Sequence, residues 1–430
     1  MNSTSALMAV CAFVSIAIGA AQVRAEDATL REIAVDATVA VGTLRPLSGI
    51  TAAEVDSSAY YRAARINLIR ISDAARIFSD FAADAGDPKN YDFAPTDRLV
   101  ALAKSGADVL LQLGRNVSGA DEAPADLDKF AQVAEHIVRH YNLGWDKGFH
   151  SAVRYWEIWN EPDSLVSWSS SPQRYYSLYE KTAQAVIAAD SSALVGGPSI
   201  ATPLDEGPYR DGFLDYVRQH RVPLNFFSWH LSSADLHSPY DFVRAARSLR
   251  IVLDKRGFGS ARSLVDEWTR DAQSQGVIPK AARAAFAASA LIYMLGGPID
   301  AQTYDGGAVA LRALNDLPDA VGHALIAFGS LKATPVLLRT SGSDEKGFAV
   351  VAGKTADGKT VQILISNYQT ASSGYSATIT MPTARKYQVK NYRITDAQNF
   401  ILADQSTQSG PTLHLKAELP SPGVEFIVIN

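Results

Sequence analysis

From Thr43 to Tyr304 the chain alternates short apolar runs with longer amphipathic stretches. The short runs are "TLRPLSGI" from Thr43, "INLIRI" from Ile66, "ADVLLQLG" from Ala107, "VRYWEIW" from Val153, "ALVGG" from Ala193, "NFFSWH" from Asn225, "RSLVDEW" from Arg262 and "IDAQTY" from Ile299. Each has strand length and is rich in β-branched or aromatic residues. Between them, "ADLDKFAQVAEHIVRHY" from Ala125 places apolar residues at helical spacing. "SPQRYYSLYEKTAQAVIAAD" opens with Ser171-Pro172 as N-cap and first-turn proline. "AARAAFAASALIYML" from Ala281 is apolar on most faces and predicts a packed outer helix. Strand-then-helix units predict a parallel α/β fold, and eight of them close a (β/α)8 TIM barrel over residues 42–330. The alternative, an open doubly wound sheet, carries a Gly-rich fingerprint after its first strand, and none follows here.

After Ser330 the period changes. "GFAVVAGKTADGKTVQILISNYQ" from Gly347 reads as two strands about a turn at Asp357-Gly358, and short alternating runs continue to "VEFIVIN" at the end. Residues 331–430 are therefore predicted to form a C-terminal antiparallel β-sandwich domain. Leu30–Val41, within segment 26–41, alternates in the same way and is expected to join that sandwich.

Ala6–Ala21 is almost wholly apolar and too short to span a bilayer comfortably. Small residues at Val23–Ala25 then precede Glu26-Asp27, which reads as a secretory signal peptide over residues 1–25. The alternative is an uncleaved anchor. The single cysteine, Cys11, lies inside this segment. The mature chain would thus have no disulfide, thiol nucleophile or thiolate metal site, as suits a secreted or periplasmic bacterial protein. A chain 47% hydrophobic and 20% charged is globular, and a net charge of −5 without blocks of like sign argues against nucleic acid and anionic lipid as partners. No stable membrane insertion is expected once the signal is removed.

In a (β/α)8 barrel, side chains at the C-terminal strand ends build the site. Glu161 ends the fourth predicted strand and Glu267 the seventh. Two carboxyl groups at one mouth are what glycoside hydrolysis needs: one protonates the departing oxygen, the other attacks the anomeric carbon or activates water. Glu157 and Asp266, on the same strands, are expected to face away from the mouth or to be paired. No His pair stands at a strand end with ligand spacing, so neither a metal nor another cofactor is expected. Tyr304 ends the eighth strand and is expected in the floor of a sugar site. Trp168, Trp229 and Trp268 offer rings on which an apolar sugar face can stack. The sequon Asn116-Val117-Ser118 is read as coincidence.

"WNEP" at Trp159–Pro162 followed by "DEW" at Asp266–Trp268 resembles the clan A retaining glycosidases. The run "WEIWNEPD", "YYSLYEKTAQAVIAADSSALVGGPSIA", "NFFSWH" and "LVDEW" resembles glycoside hydrolase family 39, from about residue 40 through the C-terminal β-domain. The resemblance implies that Glu161 is the acid/base, that Glu267 is the nucleophile, and that Asn160 bonds the sugar 2-hydroxyl, a contact that tightens in the transition state. It implies that Arg70, in "INLIRIS", stands beside Glu267 and holds it ionised, and that His230 is the family's histidine at that strand end. Two positions depart from the family pattern, with Ser72 where a histidine and Ser232 where a tyrosine are often found. Tyr304 or Tyr240 would then have to supply the missing hydroxyl. The expected function is a secreted, retaining glycosidase acting on a β-linked carbohydrate substrate, a β-xyloside or a bacterial exopolysaccharide. A carbohydrate-binding protein on a scaffold that has lost catalysis is the reading from another class, and the presence of both carboxylates argues against it.

Overall fold

A computed structural model of the chain describes residues 30–52, 59–72, 76–104, 106–118, 122–231, 238–270, 278–311 and 317–430. The segment read as a signal peptide, Cys11 and Ser232 lie outside them.

Eight parallel strands close a barrel: β2 (Gly49–Thr51), β3 (Leu68–Ile71), β4 (Asp108–Leu113), β5 (Tyr155–Ile158), β6 (Leu194–Ile200), β7 (Phe226–His230), β8 (Arg262–Trp268) and β9 (Ala301–Tyr304). β9 pairs back to β2 at Tyr304 and Ile50. Two of the connecting helices show how their ends are fixed, the second by the Ser171 cap expected from the sequence. Asp126 caps Leu127–Leu143 by accepting from the amides of Asp128 and Lys129, and that helix stops at Gly144 in the left-handed region. Ser171 caps Pro172–Ala189 through the Arg174 amide.

The barrel lumen is layered by the two-residue period of its strands. Leu68, Leu110, Tyr155, Phe226, Leu264 and Ala301 fill the lower layer as a small apolar core of their own. Gly196 leaves the space that Phe226 occupies; a Cβ there would stand 2.4 Å from the ring. Two residues further along the strands, every one of these positions turns polar: Arg70, Gln112, Glu157, Ser228, Asp266 and Thr303, all buried. The mouth of the barrel rests on this polar layer.

The remaining strands are β1 (Leu30–Thr43), β10 (Val336–Ser341), β11 (Phe348–Lys354), β12 (Val361–Asn367), β13 (Gly374–Ile394), β14 (Asn399–Glu418) and β15 (Gly423–Ile429). They form one sheet in the order β1-β10-β11-β12-β15-β13-β14. The expectation of a purely antiparallel domain needs correcting at one place. The first half of the long β13 pairs in parallel with β1, and its second half pairs antiparallel with β15. The sheet so folds back on itself around Ile33, Val35, Phe348, Val350, Ile363, Ile379 and Ile427.

Strand β11 has two buried faces. Phe348, Val350 and Ala352 enter the sheet's own core, while Ala349 and Val351 join the core of the barrel. They meet the Ala-rich helix Lys280–Met294, which packs against β11, β12 and β15. The helix is apolar all round because it lies between barrel and sheet.

Candidate active site

Two backbone irregularities aim the polar side chains at the mouth. Along β8 the pairing to β7 slips between Val265 and Glu267. This bulge lets two consecutive residues, Asp266 and Glu267, both reach Arg70, which a regular strand would forbid. Along β6 the pairing slips between Pro198 and Ile200, and Ser199 sits between them with φ +56°. After β5 the chain turns through Trp159 (φ +73°) and Glu161 (φ +46°). Left-handed backbone at residues other than glycine is held only where the surroundings over-determine it. Here the Trp159 amide donates to Leu113 O, and the Glu161 amide donates to Ser199 O, both at 2.9 Å. Asp163 clamps the same turn to the end of β6 by accepting from the amides of Ala201 and Thr202.

Arg70 is the hub. Fully buried, it donates through Nε to Glu157 (2.8 Å), through Nη1 to Glu267 (2.9 Å), and through Nη2 to Asn160 (2.8 Å) and Ser199 (3.1 Å). Gln112 also donates to Asn160 Oδ1, at 3.0 Å. With its oxygen taken by two donors, the Asn160 amide is fixed with its NH2 group left to donate. His230 links the two halves of the site: Nδ1 is 2.9 Å from Glu161 Oε1, and Nε2 is 2.7 Å from Ser199 Oγ and 3.8 Å from Glu267 Oε2.

Among the described residues four carboxyl groups converge here, and burial separates them into two pairs. The side chains of Glu157 and Asp266 are 0% and 1% exposed, whereas those of Glu161 and Glu267 are 29% and 37% exposed. Burial pushes the Glu157 carboxyl up to about 8, with Arg70 opposing and Asp266 adding to the rise. For Asp266 burial is outweighed by His230 and Arg70, which hold it well below the usual carboxylate range. Among the described residues, Glu157 Oε1 and Asp266 Oδ1 are buried without a hydrogen-bond partner, and the latter has only the longer 3.6 Å contact with His230 Nε2. A proton carried by Glu157 and shared with Asp266 satisfies both. Burial would lower His230, but Asp266 foremost, then Glu161 and Glu267, push it up to about 10.

The structure therefore brings together Arg70, Asn160, Glu161, His230 and Glu267. Glu157 and Asp266 are paired, as one of the two expectations had it, and they point into the lumen rather than away. Ser199 and Gln112 belong to the same network and were not singled out from the sequence. Each is a lone polar residue at or near the end of an apolar strand pattern, which is the signal that marked His230.

A model of glycosyl hydrolases family 39 matches residues 114–252, a stretch holding Asn160, Glu161 and His230 but neither Arg70 nor Glu267. A crystal structure of a glucosidase from Croceicoccus marinus superposes on 94% of this chain and 99% of that chain, with a TM-score of 0.83 and 31% identity. The chain belongs to glycosyl hydrolase family 39. A family 39 enzyme from Xanthomonas axonopodis pv. citri shares the fold, with a TM-score of 0.74 at 17% identity over 94% of this chain and 98% of that chain. A β-xylosidase from Geobacillus stearothermophilus is 26% identical over 225 residues, 44% of this chain, and that match spans only 43% of the relative.

Within this family 39 chain the aromatic expectations change. Trp168 is 1% exposed; its ring packs edge-on against Trp159 and Tyr175, and Nε1 donates to Ser171 O. It presents no face to a sugar and instead supports the turn carrying Glu161. Trp229 is buried and donates to Ser263. Trp268 is likewise buried, donating to Gln302 Oε1 at 2.6 Å with its ring edge-on to Tyr304. The Tyr304 hydroxyl lies 3.2 Å from Thr269 Oγ1. Tyr240 packs on Tyr293 beneath Arg244 and Arg247, toward the β-domain, so its ring is committed there. Asn116 of the sequon is buried, bonded to the Gly114 amide and Gln112 O.

Proposed function

We propose that the chain is an exported, retaining β-glycosidase in which Glu161 is the acid/base and Glu267 the nucleophile. The observation that carries this is the sorting of four carboxyl groups: of these, Glu161 and Glu267 are the two open to the mouth, and the His230 imidazole reaches both. In the first half-reaction Glu161 gives its proton to the departing oxygen while Glu267 forms a bond to the anomeric carbon. In the second, Glu161 takes a proton from water, which displaces Glu267. Arg70 donates to Glu267 Oε2 at 2.9 Å and so orients the carboxylate for attack. The Asn160 NH2 group is placed to donate to the sugar 2-hydroxyl. Export rests on the signal-like sequence of residues 1–25.

β-Xylosides and β-glucosides are the substrates to try first, since relatives bear the names β-xylosidase and glucosidase, with bacterial exopolysaccharide next. The test is an aryl β-glycoside panel with wild type, Glu161→Gln and Glu267→Gln, and detection of the first-formed anomer by NMR. Each substitution is expected to lower kcat/KM on a phenyl glycoside by about 100-fold or more. Equal hydrolysis by all three proteins overturns the assignment, and an inverted first product overturns the nucleophile role of Glu267.

A further inference from the structure

Ser199 touches the acid/base by two routes at once. Its carbonyl accepts the Glu161 amide at 2.9 Å, and its hydroxyl meets His230 Nε2 at 2.7 Å, the ring whose Nδ1 faces Glu161 Oε1 at 2.9 Å. A hydroxyl has one proton to give. Its candidate acceptors are Asp266 Oδ2 at 2.6 Å, His230 Nε2 at 2.7 Å and Asn160 Oδ1 at 3.1 Å; the last already accepts from Arg70 and Gln112, and an anionic carboxylate at the shortest distance outcompetes a neutral imidazole nitrogen. The proton therefore goes to the Asp266 carboxylate, which is held ionised by His230 and Arg70 against its burial. Ser199 Oγ is then an acceptor toward His230, and Nε2 must carry the hydrogen.

We propose that Ser199 is a positioning residue that fixes His230 as its Nε2–H tautomer and so keeps a proton in the contact between His230 Nδ1 and Glu161 Oε1. This rests on Glu161 being the acid/base. With Nε2–H fixed, neutral His230 turns a lone pair toward Oε1. An ionised Glu161 beside it would set two lone pairs against each other at 2.9 Å. The couple therefore holds on to its proton as pH rises. When that proton passes to the leaving oxygen, the bond from anomeric carbon to that oxygen breaks and the bond to Glu267 forms. The emptied couple then favours taking a proton back from the attacking water. Among the described residues, the charged groups facing the ring are Glu161 from the turn after β5, and Asp266 and Glu267 from β8. Arg70 on β3 stands behind Ser199, and Glu157 on β5 stands behind Asp266.

Removing the hydroxyl takes away the only group within hydrogen-bond distance of Nε2 among the described residues and leaves it facing the Asp266 carboxylate at 3.6 Å, so Nε2 is held less firmly to its hydrogen. Neutral His230 can then donate from Nδ1 to an ionised Glu161, and the couple empties at lower pH. The experiment measures kcat/KM against pH for wild type, Ser199→Ala and Ser199→Gly on a phenyl and a 2,4-dinitrophenyl glycoside. Alanine keeps the backbone strain of φ +56° and glycine relieves it, so a shift common to both belongs to the hydroxyl. For both variants the basic limb on the phenyl glycoside is expected to move down by about half a pH unit or more. On the alkaline side, activity on that substrate should fall about fivefold further than on the dinitrophenyl one, whose leaving group needs no proton. Unmoved limbs, or equal shifts for both leaving groups, overturn the role of Ser199. So does a wild-type 15N spectrum showing His230 neutral with hydrogen on Nδ1, which needs no variant to fold. A Glu161→Gln protein fully active on the phenyl glycoside overturns instead the acid/base reading beneath it.

Discussion

The Arg70 guanidinium donates to Glu267 Oε2 at 2.9 Å from a position with no solvent exposure of its own. Its other nitrogens are shared among Glu157, Asn160 and Ser199. A lysine keeps the charge but not the planar fork that reaches these partners together. Arg70→Lys is expected to lose about 100-fold in kcat/KM, with a modest fall in melting temperature. Arg70→Ala leaves buried carboxylates without a counter-charge, and should cost about 3–5 kcal/mol of stability, read by urea denaturation. Full activity in Arg70→Lys would show that one point charge suffices beside Glu267.

Asn160 is held by its oxygen, so its NH2 group is what remains for substrate. Asn160→Ala should lower kcat/KM on an ordinary aryl glycoside by about 10- to 100-fold, the worth of one hydrogen bond strengthened in the transition state. On the matching 2-deoxy glycoside, which lacks the hydroxyl, the same substitution should cost less than about threefold. Equal losses on both substrates would move the role of Asn160 from sugar recognition to holding Arg70.

Much of this site was legible in the strand pattern, and the rest was hidden for definable reasons. Glu161 and His230 stood out because each ends an apolar run. The period-two rule then allows only one of Asp266 and Glu267 to face inward, and nothing in "LVDEW" announces the bulge that admits both. Ser199 is hidden by the same device on β6. The tryptophans misled because composition does not reveal which face of a ring is covered. Alternation found β1 and β13 as strands, but not that β13 is long enough to serve two neighbours, one of them in parallel.

Trp168 supplies a test of buttress against platform. Its ring lies edge-on to Trp159, the residue two before Glu161, with centroids 5.2 Å apart. Trp168→Ala opens a cavity and should cost about 3–5 kcal/mol, measured by denaturant unfolding. Trp168→Phe should recover part of that stability, and KM should stay near wild type in this variant. A raised KM with unchanged stability would return Trp168 to the sugar.

The buried acids make the stability of the fold depend on pH in a signed way. Glu157 rises from its ordinary 4.5 to about 8 because burial disfavours its charge, and His230 rises from 6.5 to about 10 because Asp266, Glu161 and Glu267 outweigh its burial. Each binds its proton more tightly folded than unfolded. Their contribution is thus complete below the ordinary values and is lost as pH climbs through 8 and then 10. Asp266, held low, works in the opposite sense and loses its contribution only as pH falls below 3.8. The melting temperature should therefore decline from mildly acidic toward alkaline pH. Glu157→Gln imitates the protonated acid, since its amide can donate to Asp266 while its oxygen accepts from Arg70. That variant should flatten the decline between about pH 4.5 and 6.5, where only Glu157 holds a proton that the unfolded chain has lost, and keep the decline from 6.5 toward 10 that belongs to His230. Melting curves of the two proteins across this range decide it: parallel declines would mean that Glu157 is already ionised beside Arg70 at neutral pH, and that the proton assigned to the Glu157–Asp266 pair is not there.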